Sequence, residues 1–85
     1  METLWFVYLI RTRQGHLYCG VTTDVSRRLA QHTKGKGARA LRGKGPLSLA
    51  WYSEPMEKRA AMQREWEIKQ WPKKRKEMLC ACFRS

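Results

Sequence analysis

Tyr8, Tyr18, Arg28, His32 and Glu65 are the side chains whose types and spacing suit chemistry on an anionic substrate. Phenols and imidazoles carry protons. A guanidinium forks onto phosphate or carboxylate oxygens. A carboxylate on an inward surface needs something cationic to meet it, a side chain or a metal ion. Arg28 and His32 are four residues apart, so one helical turn stacks them on the same side, with Asp24 a turn earlier. Arg27 projects about 100° away. Each group also has an ordinary explanation. Tyr8 and Tyr18 suit half-buried strand positions; Arg28 suits a solvated surface; His32 suits a helix C-terminus; Glu65 suits an ion pair.

The elements that position these groups can be read in order. Phe6-Val7-Tyr8-Leu9-Ile10 and Leu17-Tyr18-Cys19-Gly20-Val21 are short runs rich in β-branched and aromatic residues, joined by the polar Arg11–His16 connector. They form a β-hairpin. A three-residue Arg13-Gln14-Gly15 loop, with Gly15 left-handed, sets Tyr8 opposite Gly20 and both tyrosines on one face. A two-residue Gln14-Gly15 turn sends them to opposite faces, and both registers stay open. Thr22-Thr23-Asp24 supplies N-cap chemistry for a helix over Val25–His32, with Val25 and Leu29 as its apolar stripe. Alternation of Leu47, Leu49 and Trp51 marks a third strand with one face on the core. Ser53-Glu54-Pro55 begins a second helix that runs to Gln70 or Trp71, where Pro72 ends it. In that helix Ala61, Met62 and Ile68 lie one turn from Glu65 and put its carboxylate on or beside the inward face. Glu67 falls on a different face, and Glu57 sits near the helix start, where acids are expected.

An 85-residue chain makes a single domain with one modest core. Its net charge of +11 and pI near 10.2 point to a polyanion, nucleic acid before an anionic membrane. No apolar run approaches the roughly 20 residues of a membrane span, and the expected location is soluble and cytoplasmic (nuclear in a eukaryote). Three cysteines, one of them in a strand, argue against a disulfide framework. Cys80-Ala81-Cys82 has the wrong spacing for a zinc knuckle. Lys34–Gly45 reads as a mobile loop punctuated by Lys34, Lys36, Arg39, Arg42 and Lys44, a phosphate-contacting segment. Gly37 to Gly43-Lys44 imitates a P-loop one residue too long, and Gly45 replaces its magnesium-binding hydroxyl residue. Pro72–Leu79 is a basic tail with some helical character, suited either to solvation or to added phosphate contacts.

Phe6-Val7-Tyr8 followed by Tyr18-Cys19-Gly20 resembles the two-part signature of the GIY-YIG nuclease superfamily. Phe6 stands in place of the first glycine of the name motif. Arg28 and His32 follow Gly20 at eight and twelve residues, where that superfamily's helix carries its arginine and its histidine or tyrosine. Gln63-Arg64-Glu65-Trp66 matches the position of its metal-binding glutamate. The similarity runs from Trp5 to Met78. It is nearest in character to the small stand-alone bacterial YhbQ-type proteins and also extends to the nuclease domain of the eukaryotic structure-selective resolvase subunit. The resemblance implies an α+β fold, a three-stranded antiparallel sheet flanked by two to three helices in ββαβαα order. It implies a DNA endonuclease, structure-selective and serving repair or recombination, with Glu65 holding one Mg²⁺ or Mn²⁺ and Arg28 gripping the phosphate. Tyr8 is the expected general base, with Tyr18 assisting and His32 orienting Tyr8 or moving its proton, although these three roles are interchangeable on the sequence. Arg27, Lys34, Lys36, Arg39, Arg42 and Lys44 are expected to bind nucleic acid. A second domain of the kind that repair and homing members use is not expected here, which leaves target choice open, with a targeting protein partner as one way to supply it. The rival reading is a nucleic-acid-binding module, on DNA or RNA, that keeps the fold without turnover; a ribosome-associated role explains only the basicity.

Overall fold

The computed structural model describes residues 3–83. Strand β1 (Phe6–Arg11) occupies the centre of an antiparallel sheet between β2 (Leu17–Thr22) and β3 (Ser48–Tyr52), in the order β2-β1-β3. Helix α1 (Val25–Thr33) follows β2, and helices α2 (Lys58–Gln70) and α3 (Lys73–Phe83) follow β3. This is the expected ββαβαα order with three helices. Among the described residues no helix is long and apolar enough to cross a membrane.

Gly15 closes the hairpin at φ 90°, with its N–H donating to the Thr12 carbonyl at 2.9 Å. That geometry selects the three-residue loop. Tyr8 therefore pairs with Gly20 and Ile10 with Tyr18, and the two tyrosines share a face.

The sheet separates two cores. Val7, Leu9 and Cys19 pack with Ala61, Ile68 and Cys80 on the α2/α3 side. Tyr8, Ile10 and Leu41 form the other core, with Tyr18, Leu29, Leu47 and Leu49 around them. Arg11 closes the far end of β1 onto α3 through two hydrogen bonds to Glu77, at 2.7 and 2.6 Å. This paired fork depresses the Glu77 carboxyl below its usual range.

Three expectations need correction. Leu47, Leu49 and Trp51 do not share a face, because Ile10 pairs with Leu49 while Leu9 pairs with Trp51. Ala50 is the extra residue of a bulge, which flips the strand's facing at that point. Leu47 and Leu49 thus join Tyr8, whereas Trp51 joins Leu9. Second, α2 begins at Lys58 rather than at Ser53-Glu54-Pro55. Met56 is held in an extended bridge to Trp5, with backbone bonds of 2.7 and 2.9 Å that a helical turn there would forfeit. Third, the basic loop is anchored rather than free. Arg39–Leu41 forms a short 3₁₀ turn, and Leu41 is buried against Tyr8 and Ile10.

Candidate active site

Tyr8 is 2 % exposed, yet its hydroxyl is not orphaned. Its ring crosses over Gly20, where an added Cβ would lie 2.6 Å from Cζ. Only a residue without a Cβ leaves that space, which is the physical reason for glycine opposite Tyr8. Tyr18, two residues before Gly20, comes up on the same face, with its ring centroid 6.5 Å from that of Tyr8.

Helix α1 lies over these rings. Asp24 starts it by accepting a hydrogen bond from the Arg27 N–H at 3.0 Å, as its N-cap chemistry predicts. This start sets the phase that turns His32 inward. The imidazole is 2 % exposed and stands edge-on to Tyr18, with centroids 5.8 Å apart. Its Nε2 lies 2.9 Å from the Tyr8 hydroxyl oxygen. Its Nδ1 accepts from the Ala38 N–H at 3.1 Å.

The second bond decides the first. A backbone N–H can only donate, so Nδ1 is unprotonated and the neutral ring carries its hydrogen on Nε2. His32 therefore donates to Tyr8. Burial and then the positive charge of Arg28 push the His32 pKa below its ordinary value, keeping the ring neutral at pH 7. Tyr8 is pushed the other way: burial raises its pKa, while the Arg28 guanidinium nearby pulls against that rise. Arg28 is thus beside both groups, with its Nη1 donating to Gln31 Oε1 at 3.0 Å.

Arg27, Arg28 and Gln31 line a cavity of about 240 Å³ that also reaches Trp5 and Val21. Those last two residues pack with the α2-side core. The cavity therefore sits at the end of the sheet where β1 begins and β2 ends, and draws its lining from both faces.

Glu65 arrives from the other face. Its backbone carbonyl lies 4.0 Å from Cys19 Sγ, directly across β2 from the strand positions that carry Tyr18 and Gly20. Burial, with the negative charge of Glu65 next, pushes the Cys19 thiol up to about 12. The Glu65 side chain is 17 % exposed, and its carboxylate is 3.3 Å from Lys69 Nζ. Tyr8, Tyr18, Arg28 and His32 are therefore one cluster, and Glu65 flanks the same edge strand from below. No group of three or more His, Cys, Asp or Glu suited to a metal occurs among the described residues. A single carboxylate paired with a half-exposed lysine still fits Mg²⁺, which keeps several waters and needs one or two carboxylates.

Arg27, Lys34, Lys36, Arg39, Arg42 and Lys44 are all exposed. Residue types alone did not reveal Gly37, whose hypothetical Cβ would overlap the His32 ring, or the Ala38 amide. A main-chain donor has no residue signature.

The "GIY-YIG catalytic domain" family profile matches residues 4–78. The chain belongs to the GIY-YIG family. A UPF0213 protein of Vibrio cholerae is 57% identical over 89 residues, covering 95% of this chain and 87% of that protein. A UPF0213 protein of Yersinia pestis is 53% identical over 78 residues, covering 92% and 82%. The solution NMR structure of a UPF0213 protein from Bacillus halodurans matches 93% of this chain and 84% of its own, at 38% identity and a TM-score of 0.59. These relatives are consistent with the small stand-alone type. GIY-YIG membership supports a nuclease-type activity and a nucleic-acid substrate.

Proposed function

We propose that this GIY-YIG protein is a DNA endonuclease that hydrolyses phosphodiester bonds with one divalent ion held at Glu65, selecting branched or nicked DNA in repair or recombination. The observation that carries this reading is the buried Tyr8–His32–Ala38 chain of hydrogen bonds with Arg28 beside it. A hydrogen bond donated to the Tyr8 oxygen favours the phenolate, as does a neighbouring guanidinium. The phenolate takes a proton from water, the water oxygen attacks phosphorus, and the bond to the 3′ oxygen breaks. Arg28 grips a non-bridging oxygen during this step. The divalent ion, when bound, supplies positive charge for the departing oxygen. His32 orients Tyr8 rather than accepting its proton, because Nε2 already carries one. The exposed loop cations and Arg27 track the flanking phosphates.

A second reading, a nucleic-acid-binding module without turnover, is favoured by the burial that raises the Tyr8 pKa. Cleavage of nicked and branched DNA in Mg²⁺ or Mn²⁺ separates the two. Wild type is expected to cut, with Glu65→Ala and Arg28→Ala slower by about 10²-fold or more. Equal rates in all three sink the assignment. Salt-sensitive gel-shift binding with no cleavage in Mn²⁺ selects the second reading.

A further inference from the structure

Trp66 follows Glu65 in α2 and is 64% exposed, the most exposed of the large apolar side chains among the described residues. A cavity of about 480 Å³ opens beside it, lined by Arg64, Trp66, Glu67, Gln70, Trp71 and Arg75. The Arg75 guanidinium lies 3.9 Å over the Trp71 ring. A guanidinium stacked in this way holds the ring in place and keeps its in-plane N–H groups available to an anion.

We propose that this patch is a stacking platform for unpaired bases of a single strand leaving the duplex beside the cleavage site. Aromatic faces set among guanidiniums are the chemistry of single-strand binding, because every base presents a π-face whatever its sequence. Charge argues the same way. Arg64 and Arg75 border the cavity, and the chain carries +11 overall. Glu67 is the one carboxylate in the lining. It repels phosphate and accepts from an exocyclic amine, so the cavity holds bases while the backbone runs past the arginines. Successive residues on a helix point about 100° apart, so a strand passing Glu65 reaches Trp66 by turning around α2.

The proposal deepens the nuclease reading by naming what the enzyme recognises beside its site, and its test uses neither metal nor cleavage. Single-stranded oligothymidine and a duplex of equal length are titrated in EDTA, following tryptophan fluorescence and oligonucleotide anisotropy. Wild type is expected to show fluorescence quenching with the single strand. Trp66→Ala should lose most of that quenching and bind the single strand about tenfold more weakly, with duplex affinity within about twofold. Trp66→Phe should keep most of the affinity, since a ring remains. A urea-unfolding midpoint within error of wild type shows that the variant is folded. Unchanged single-strand affinity in Trp66→Ala, or equal loss for both ligands, overturns the platform. Trp66-dependent binding by a protein that cuts no DNA supports the platform and removes the nuclease reading. Cleavage without Trp66-dependent binding does the reverse.

Discussion

Gly37→Ala tests the hydrogen-bond chain that holds Tyr8 by adding one carbon and removing nothing. Gly37 is not among the glycines with positive φ, so alanine meets no backbone barrier. Its Cβ would nevertheless fall 2.6 Å from His32 Cε1 and 2.8 Å from Cγ, and nearest of all to Nδ1. Ordinary contact begins at 3.4 Å, so the ring or the loop must give by at least 0.8 Å at Cε1 and by more at Nδ1. A shift of that size breaks the 3.1 Å bond from Ala38 or the 2.9 Å bond to Tyr8. Leaving a buried partner unsatisfied costs about 1–3 kcal/mol, a large share of a small domain's stability. A misplacement of roughly 1 Å also lowers a catalytic rate by about 10²-fold. Gly43→Ala is the control: at φ 70°, with nothing within 4 Å of its Cβ, it carries backbone strain but no collision. That strain costs about 1–2 kcal/mol, with cleavage near wild type. NMR titration of the His32 imidazole reads the ring directly. Burial and Arg28 hold its pKa down in wild type; freed by Gly37→Ala, it should move up toward 6.5. Together with urea unfolding, an unshifted titration and an unchanged midpoint in Gly37→Ala would refute the claim that the loop backbone holds the imidazole.

Gly20→Ala attacks the same chain from the sheet, since its Cβ would press on the Tyr8 ring; cleavage should fall by about 10²-fold, and Tyr8 and His32 chemical shifts that match wild type would count against it. The pH response follows from two opposed shifts. His32 titrates lower in the folded chain than unfolded, so its contribution to stability is present above pH 6.5 and is lost as pH falls through the folded value. Tyr8 is raised above 10, so its contribution is present below pH 10 and is lost as pH rises through the folded value. A Tyr8 base makes cleavage climb with pH through the neutral and mildly alkaline range. A plateau reached near pH 7 would assign the base elsewhere.

What was legible in the chain was local. Gly15 between two β-rich runs announced the hairpin, Asp24 announced the start of α1, and the spacing of Ala61 and Ile68 around Glu65 announced a half-buried carboxylate. The misreadings all came from long-range pairing. Nothing near Ala50 signals a bulge, which exists because β1 accommodates Leu49 and Trp51 on opposite faces. Nothing near Pro55 signals that Met56 is claimed by Trp5. The basic loop was the most consequential misreading. Its glycines and cations describe a solvated phosphate-binding segment, and its exposed side chains fit that description. Its backbone does a second job, since the Ala38 N–H fixes which nitrogen of His32 bears the proton. Lys36 and Arg39 flank Gly37 and Ala38, so two exposed cations are covalently next to the amide that orients the Tyr8 partner. On the proposed reading, substrate contact and proton chemistry share one short stretch of main chain.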